Sequence, residues 1–191
     1  MELTSAEKKI LLKAARSSIK SYLYDTDKPQ IDYNEFPKLK ENHGAFVTLT
    51  INNNLRGCIG YIVANDPVFE TVCTAAIQAS ANDPRFPSLA KTELEKIAIE
   101  ISILSIPFKM NSYDEIEVGK HGLILKEGYN HGLLLPQVPI EHNMNKDQYL
   151  SALCNKAGLY RDYWKEKVLN IEMFTATVFS EKEMEEQNDN S

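Results

Sequence analysis

Residues 55–61 read Leu-Arg-Gly-Cys-Ile-Gly-Tyr, which sets one thiol between two glycines with an arginine two places ahead of it. A cysteine becomes a potent nucleophile near neutral pH when a cation, a helix N-terminus or a histidine favours the thiolate. Arg56 offers five fixed donors suited to a carboxylate, phosphate or carbonyl. Gly57 and Gly60 allow close approach or backbone geometry that a side chain would block. Cys58 therefore has two readings, a nucleophile beside an anion-binding arginine or a small residue packed in a tight hairpin. Regular alternation would put Arg56 and Cys58 on one face of a strand, and Gly57 is where that alternation can break.

Other groups bear on the same chemistry. Asp83-Pro84-Arg85-Phe86-Pro87 is a loop stiffened by two prolines, so the Arg85 guanidinium has little freedom left to lose. Arg85 would bind an anionic ligand or pair with an acid such as Asp83 or Glu100. His121 and His131 are placed where strands should begin, either one a candidate general base for Cys58. Cys73 and Cys154 fall on apolar helix faces and read as core. Tyr61, Glu100 and Gln137 are polar groups on apolar runs, a pattern that lines pockets. The sequence shows no metal-ligand spacing, phosphate loop or dinucleotide fingerprint, so it requires no cofactor and assigns no metal ligand.

The elements that must position these groups follow from periodicity. Thr4-Ser5-Ala6-Glu7 has capping-box form, and Ile10, Leu11, Ala14, Ala15, Ser18, Ile19, Tyr22 and Leu23 then share one helical face. Alternation over residues 45–51, the asparagines 52–54 and the run 56–63 predict a hairpin with Cys58 near its loop end. Asp66-Pro67 predicts a helix start, with Asp66 as the cap and Val68, Val72, Ala75, Ala76 and Ala79 as the packing stripe. A short helix over 92–96 precedes a strand in which Ile97, Ile99, Ile101 and Ile103 face the core, with Glu100 and Ser102 on the other face. The runs beginning at Gly122 and Gly132 predict a second hairpin. Asn145 caps a helix with Tyr149, Leu150, Leu153, Cys154 and Ala157 on its apolar face, and one last strand covers 171–179.

The chain carries 21 basic and 27 acidic residues for a formal charge of −6. Much of that excess lies in residues 181–191, so the body is near neutral and lacks the basic footprint that phosphate-backbone binding needs, which argues against nucleic acid. At 191 residues with 43% hydrophobic content the chain can bury one substantial core. Three cysteines without a C-x-x-C pair point to free thiols in a reducing compartment. No run approaches the roughly 18 apolar residues of a membrane span and no leader pattern begins the chain, so a soluble cytoplasmic protein is expected.

Five ordered motifs carry a resemblance: LRGCIG at 55–60, DPRF at 83–86, GKHGL at 119–123, GLLLPQV at 132–138 and KAGL at 156–159. In this order they resemble the AMMECR domain family, named from a chromosomal region linked to Alport syndrome, midface hypoplasia and elliptocytosis, and in particular its prokaryotic members. The resemblance covers residues 3–179 and leaves 180–191 as an acidic, disordered tail. It implies a single α+β domain, with a mixed, largely antiparallel sheet, flanking helices and two lobes of unequal size around a cleft near LRGCIG. Arg56, Gly57, Cys58 and Gly60 match its first motif, and Asp83 and Arg85 its second. Prokaryotic members are often encoded with, or fused to, Memo-type and radical S-adenosylmethionine proteins, and the resemblance implies joint action with them on a small molecule or a protein partner. Two functions are expected from residues and resemblance together. One is a thiol-dependent enzyme or enzyme component with Cys58 and His121 as catalytic groups and Arg56, Gly57, Gly60, Asp83 and Arg85 binding ligand. The other is a non-catalytic binding or adaptor domain with a structural Cys58.

Overall fold

The computed structural model describes residues 1–184 of the chain. Thr4 caps the first helix, α1 (Ser5–Tyr24), through the predicted box: its hydroxyl accepts from Glu7 N–H at 3.2 Å, and the Glu7 carboxylate accepts from Thr4 N–H at 2.7 Å. Strands β1 (Ala45–Ile51) and β2 (Asn54–Tyr61) form the predicted hairpin. Asn52 and Asn53 between them both take positive φ, 51° and 62°. A two-residue turn with positive φ at both positions matches the twist of the flanking strands, and asparagine tolerates that conformation.

Helix α2 (Val68–Ala81) begins one residue later than Asp66-Pro67 predicts. Pro67 occupies the cap position without a side-chain bond, and Val68 N–H donates instead to Glu41 O at 2.8 Å. The expected helix over 92–96 is a single 3-10 turn at Lys91–Glu93. Strand β3 (Ala98–Leu104) follows, with Ile99, Ile101 and Ile103 buried as predicted.

The rest of the sheet architecture departs from a single sheet. Strands β4 (Phe108–Lys109), β5 (Gly122–Glu127), β6 (Asn130–Leu134) and β7 (Ile171–Phe174) form one sheet in the order β4-β7-β5-β6. β8 (Ala176–Ser180) joins the other, in the order β2-β1-β3-β8. Every pairing β1–β2, β1–β3, β4–β7, β5–β6 and β5–β7 is antiparallel. The one strand expected over 171–179 is thus two strands in two sheets. Met173 and Phe174 are both buried, which breaks the alternation, and Thr175 exchanges hydrogen bonds with Ser105 on both its N–H and its carbonyl instead of continuing a ladder.

The described residues divide into two compact units, residues 1–104 with 177–184, and residues 105–176. In the first, α1 and α2 cover the face of the sheet that carries Val47, Leu49, Ile99, Ile101 and Ile103. Burying each such side chain contributes roughly 1.5–3 kcal/mol before the opposing entropy. In the second, α4 (Lys146–Lys156), capped by Asn145, packs Tyr149, Leu150, Leu153 and Cys154 on Leu123, Leu125, Ile171 and Met173, and α3 (Val138–Glu141) is a single turn ahead of it. Beyond β8 the chain is not loose where it is described. Glu181 accepts from Arg16 and from Ile99 N–H, and Met184 is buried. Of the tail expected to be disordered, residues 185–191 lie outside the described residues.

Gly57 shows how tightly the first unit is built. A Cβ there would lie 2.1 Å from Ala79 O of α2, a backbone atom that no rotamer change moves aside. Gly57→Ala is expected to destabilise the protein by about 2 kcal/mol through overpacking. A urea midpoint equal to that of the parent would show that α2 does not press on β2 as described.

Candidate functional site

The LRGCIG segment is β2, and its pairing with β1 contains one irregularity. Ile51 pairs with Asn54 and Thr50 with Leu55, but the next pair is Leu49 with Gly57, so Arg56 is an extra residue on β2. Such a bulge shifts the register by one, and a shift of one residue exchanges the faces of every side chain beyond it. Unbroken pairing would have set Cys58 opposite Val47, in the core. The bulge sets it opposite Thr48, on the face away from α1 and α2. Gly57 takes the core side against Ala79, and Gly60 leaves room for the Phe46 ring, whose Cγ would lie 2.3 Å from a Cβ there.

Cys58 is half-buried, and its Sγ accepts a hydrogen bond from Thr48 Oγ1 at 3.3 Å. Its backbone is held from outside the sheet. β2 is an edge strand, and Cys58 N–H donates to Asp83 Oδ2 at 2.8 Å while Arg85 Nη2 donates to Cys58 O at 3.3 Å. Asp83 and Arg85 are themselves paired, with Arg85 Nε to Asp83 Oδ1 at 2.9 Å and Nη2 to Oδ2 at 2.7 Å. Asp83 is 2% exposed at its side chain and Arg85 54%, so the carboxylate is buried against Cys58 under a half-open guanidinium. The Arg85 side chain, followed by the N–H groups of Cys58 and Arg85, holds the Asp83 carboxyl far below the usual carboxylate range against the opposing effect of burial.

Bulged out of the ladder, Arg56 makes a fork-to-fork pair with Glu93, Nε to Oε1 at 2.8 Å and Nη2 to Oε2 at 2.9 Å, and Nη1 donates to Pro87 O at 2.9 Å. Glu93 also accepts from Ala90 N–H at 2.8 Å. The Arg56 side chain, then that N–H, brings the Glu93 carboxyl down to about 2. Both arginines predicted as ligand donors therefore have much of their donor capacity engaged within the first unit. Arg85 takes the Asp83 alternative that its loop sequence allowed, not Glu100.

His121 belongs to the second unit, directly before β5. Its Nδ1 accepts from Glu117 N–H at 3.1 Å, which leaves the ring proton on Nε2, and its ring meets Phe108 edge-on at 5.9 Å. His131 does not precede a strand but lies within β6 opposite Lys126. Cys154 is fully buried and Cys73 packs against the core of the first unit; burial pushes the Cys154 thiol up and that of Cys73 up to about 11. Among the described residues no group of three or more His, Cys, Asp or Glu side chains could hold a metal ion, and no helix is long and apolar enough to cross a membrane.

On the Cys58 face, a recess of about 250 Å³ is lined by Thr48, Thr50 and Asn53 of the hairpin, Glu100 of β3, and Ser180 and Lys182 beyond it. Glu100 pairs with Thr48 as Cys58 does, so Cys58, Thr48 and Glu100 form one row across three strands. Of these the sequence marked Cys58 and Glu100. Thr48 is legible only once the bulge is known, and Glu93 and Lys182 carry no local pattern that distinguishes them from surface charges.

The fold and this face define a two-unit α+β protein with a half-buried thiol on the sheet face away from α1 and α2, its backbone held at N–H and C=O. The AMMECR1 family profile matches residues 12–179, and the chain belongs to that family. It is 42% identical to a protein of Methanosarcina barkeri over 95% of this chain and 93% of that one, and 43% identical to a protein of Methanococcus aeolicus over 94% of each. The crystal structure of an uncharacterized protein from Pyrococcus horikoshii superposes with a TM-score of 0.80 at 36% identity, covering 90% of this chain and 89% of that one.

The two arginine–carboxylate pairs give the first unit a defined acid response. Glu93 is more acidic folded than unfolded, so the stability it contributes is complete above its unfolded value near 4.5 and lost as pH falls through about 2, and Asp83 shifts in the same direction and loses its contribution at still lower pH. Glu93→Gln is expected to unfold at a lower urea concentration at pH 6 and to converge with the parent near pH 2. Parallel curves from pH 6 to 2 would show that the Arg56–Glu93 pair contributes nothing.

Proposed function

We propose that this protein is a thiol-dependent enzyme or enzyme component, cytoplasmic, in which Cys58 reacts with a small molecule or a partner's product on the outer face of the first sheet. The observation that carries this reading is the placement of Cys58. A core position was one residue of register away, yet the half-buried sulfur lies on the face away from α1 and α2 with a hydroxyl donor, and its backbone is fixed at both N–H and C=O. Preorganisation of that kind keeps a nucleophile aligned without reorganisation during reaction. Asp83 and Arg85 act as positioning residues through the Cys58 backbone, and the half-open side of Arg85 is available to an anionic group. His121 remains a proposed acid or base, and Memo-type and radical S-adenosylmethionine proteins remain the proposed partners.

A second reading, a binding or adaptor domain with a structural Cys58, is favoured by the internal pairing of Arg56, Asp83 and Arg85. Thiol reactivity separates the two. Iodoacetamide at pH 8 is expected to modify Cys58 first in the folded protein, with the half-buried Cys73 slower because its thiol is pushed up and the buried Cys154 following only on unfolding. Cys58→Ser is expected to melt like the parent and to lose partner-dependent turnover. A Cys58 that reacts only after unfolding, or a serine variant with full turnover, would leave the adaptor reading standing.

A further inference from the structure

We infer that the second unit binds a small molecule bearing a phosphate monoester, in a recess lined by His142, Gln148, Ser151, Asn155 and Arg161. This recess, about 270 Å³, lies within residues 105–176 and shares no residue with the Cys58 face. Charge is the first argument. None of the described residues that line the recess is acidic, and one is an arginine. Arg161 makes no hydrogen bond or ion pair among the described residues, and the acids that follow it in the chain are engaged: Asp162 pairs with Lys165 at 2.9 Å, and Glu166 accepts from the Tyr160 hydroxyl. The planar fork of Arg161 is thus available to an oxyanion.

The polarity of the uncharged groups is the second. Gln148 Oε1 accepts from Asn145 N–H at 2.9 Å in the cap of α4, which leaves its Nε2 free to donate. Ser151, 5% exposed, accepts from Trp164 Nε1 at 3.0 Å at its hydroxyl oxygen and keeps its own proton to give. In both side chains folding occupies the acceptor and spares the donor. Asn155 adds a carboxamide and His142 an imidazole, neither side chain having a partner among the described residues. The Arg161 fork alone would fill the two oxygens of a carboxylate, whereas the further donors on α4 match the third terminal oxygen of a phosphate monoester.

Construction is the third. Gln148, Ser151 and Asn155 are spaced by three and then four residues along α4 and share one helical face. Gly158, at φ 77°, ends that helix, and the N–H groups of Gly158 and Leu159 donate back to Asn155 O at 3.0 Å and Cys154 O at 2.9 Å. The chain reverses there, and the Trp164 bond to Ser151 fastens the returning segment, which carries Arg161, to the same helix. On the other side Asn143, at φ 49°, turns the chain between His142 and the Asn145 cap. A volume of about 270 Å³ falls below the roughly 300–1,000 Å³ of sites for drug-sized ligands and suits a phosphate with a short ester group.

The test is a titration of the isotope-labelled full chain followed by NMR, with inorganic phosphate and glycerol phosphate as probes, acetate as the carboxylate control and ionic strength held constant with sodium chloride. Both phosphates are expected to give saturable shifts at the side-chain amides of Gln148 and Asn155 and at Arg161 Nε–H, with acetate roughly tenfold weaker. Arg161→Gln is expected to weaken phosphate binding roughly tenfold and Asn155→Ala about threefold. Both side chains are exposed and unpartnered among the described residues, so both variants are expected to melt like the parent. Shifts that rise without saturating, saturation by acetate at the same concentration as phosphate, or full phosphate affinity in folded Arg161→Gln overturns the assignment. The alkylation of Cys58 is read separately, so failure of the phosphate site and failure of the thiol reading give different results.

Discussion

The one-residue bulge at Arg56 is the constraint on which the first unit turns. Strand periodicity is two, so an inserted residue exchanges inside and outside for everything that follows it. Before the bulge, β2 pairs in the register set by the Asn52-Asn53 turn; after it, Gly57 meets α2, Cys58 meets Thr48 and Gly60 meets Phe46. Without it, Arg56 would take the place of Gly57 opposite Leu49, where Ala79 leaves no room for even a methyl group, and Cys58 would lie opposite Val47 in the core. The same insertion throws the Arg56 side chain out of the ladder towards Glu93, which secures the 3-10 turn at Lys91–Glu93 to the hairpin.

The second consequence concerns the edge. Among the described residues β2 has no neighbouring strand on its outer side, and an uncovered edge offers N–H and C=O groups to any passing chain. Asp83 and Arg85 present one acceptor and one donor to the backbone of Cys58, as a paired strand would, with two side chains in place of a backbone. The prolines flanking Arg85 stiffen the loop, so the clamp loses little freedom on forming. LRGCIG and DPRF are therefore one structural device in two pieces, separated in the chain by α2.

Much of this arrangement was legible in the sequence where a local rule decides the outcome. The Thr4 box, the Asn145 cap, the β1–β2 hairpin and the isoleucine face of β3 depend on contacts within a few residues or on period alone. What was not legible depends on pairing at a distance. Asp66-Pro67 reads as a cap and first turn, but Glu41 O supplies the acceptor for Val68 N–H and displaces the start by one residue. The run 171–179 reads as one strand, and the switch of sheets at Thr175 is set by Ser105, seventy positions earlier. The hairpin count from the turn gives Val47 opposite Cys58, and only the bulge, which Gly57 permits but does not announce, gives Thr48.

Packing and electrostatics inside the first unit account for most of the two motifs. Gly57 and Gly60 make room for α2 and Phe46, Arg56 ties down Glu93, and Asp83 with Arg85 closes the edge. Each would be required whether or not the protein performed chemistry. The sulfur of Cys58 is different, because none of these contacts needs it: a serine or alanine would satisfy the same backbone clamp and is no larger. Its bond from Thr48, and the polar recess that Thr48 shares with Glu100 and Lys182, are likewise unnecessary to the core. The groups that folding leaves unexplained are few, and they lie together on one face of one sheet.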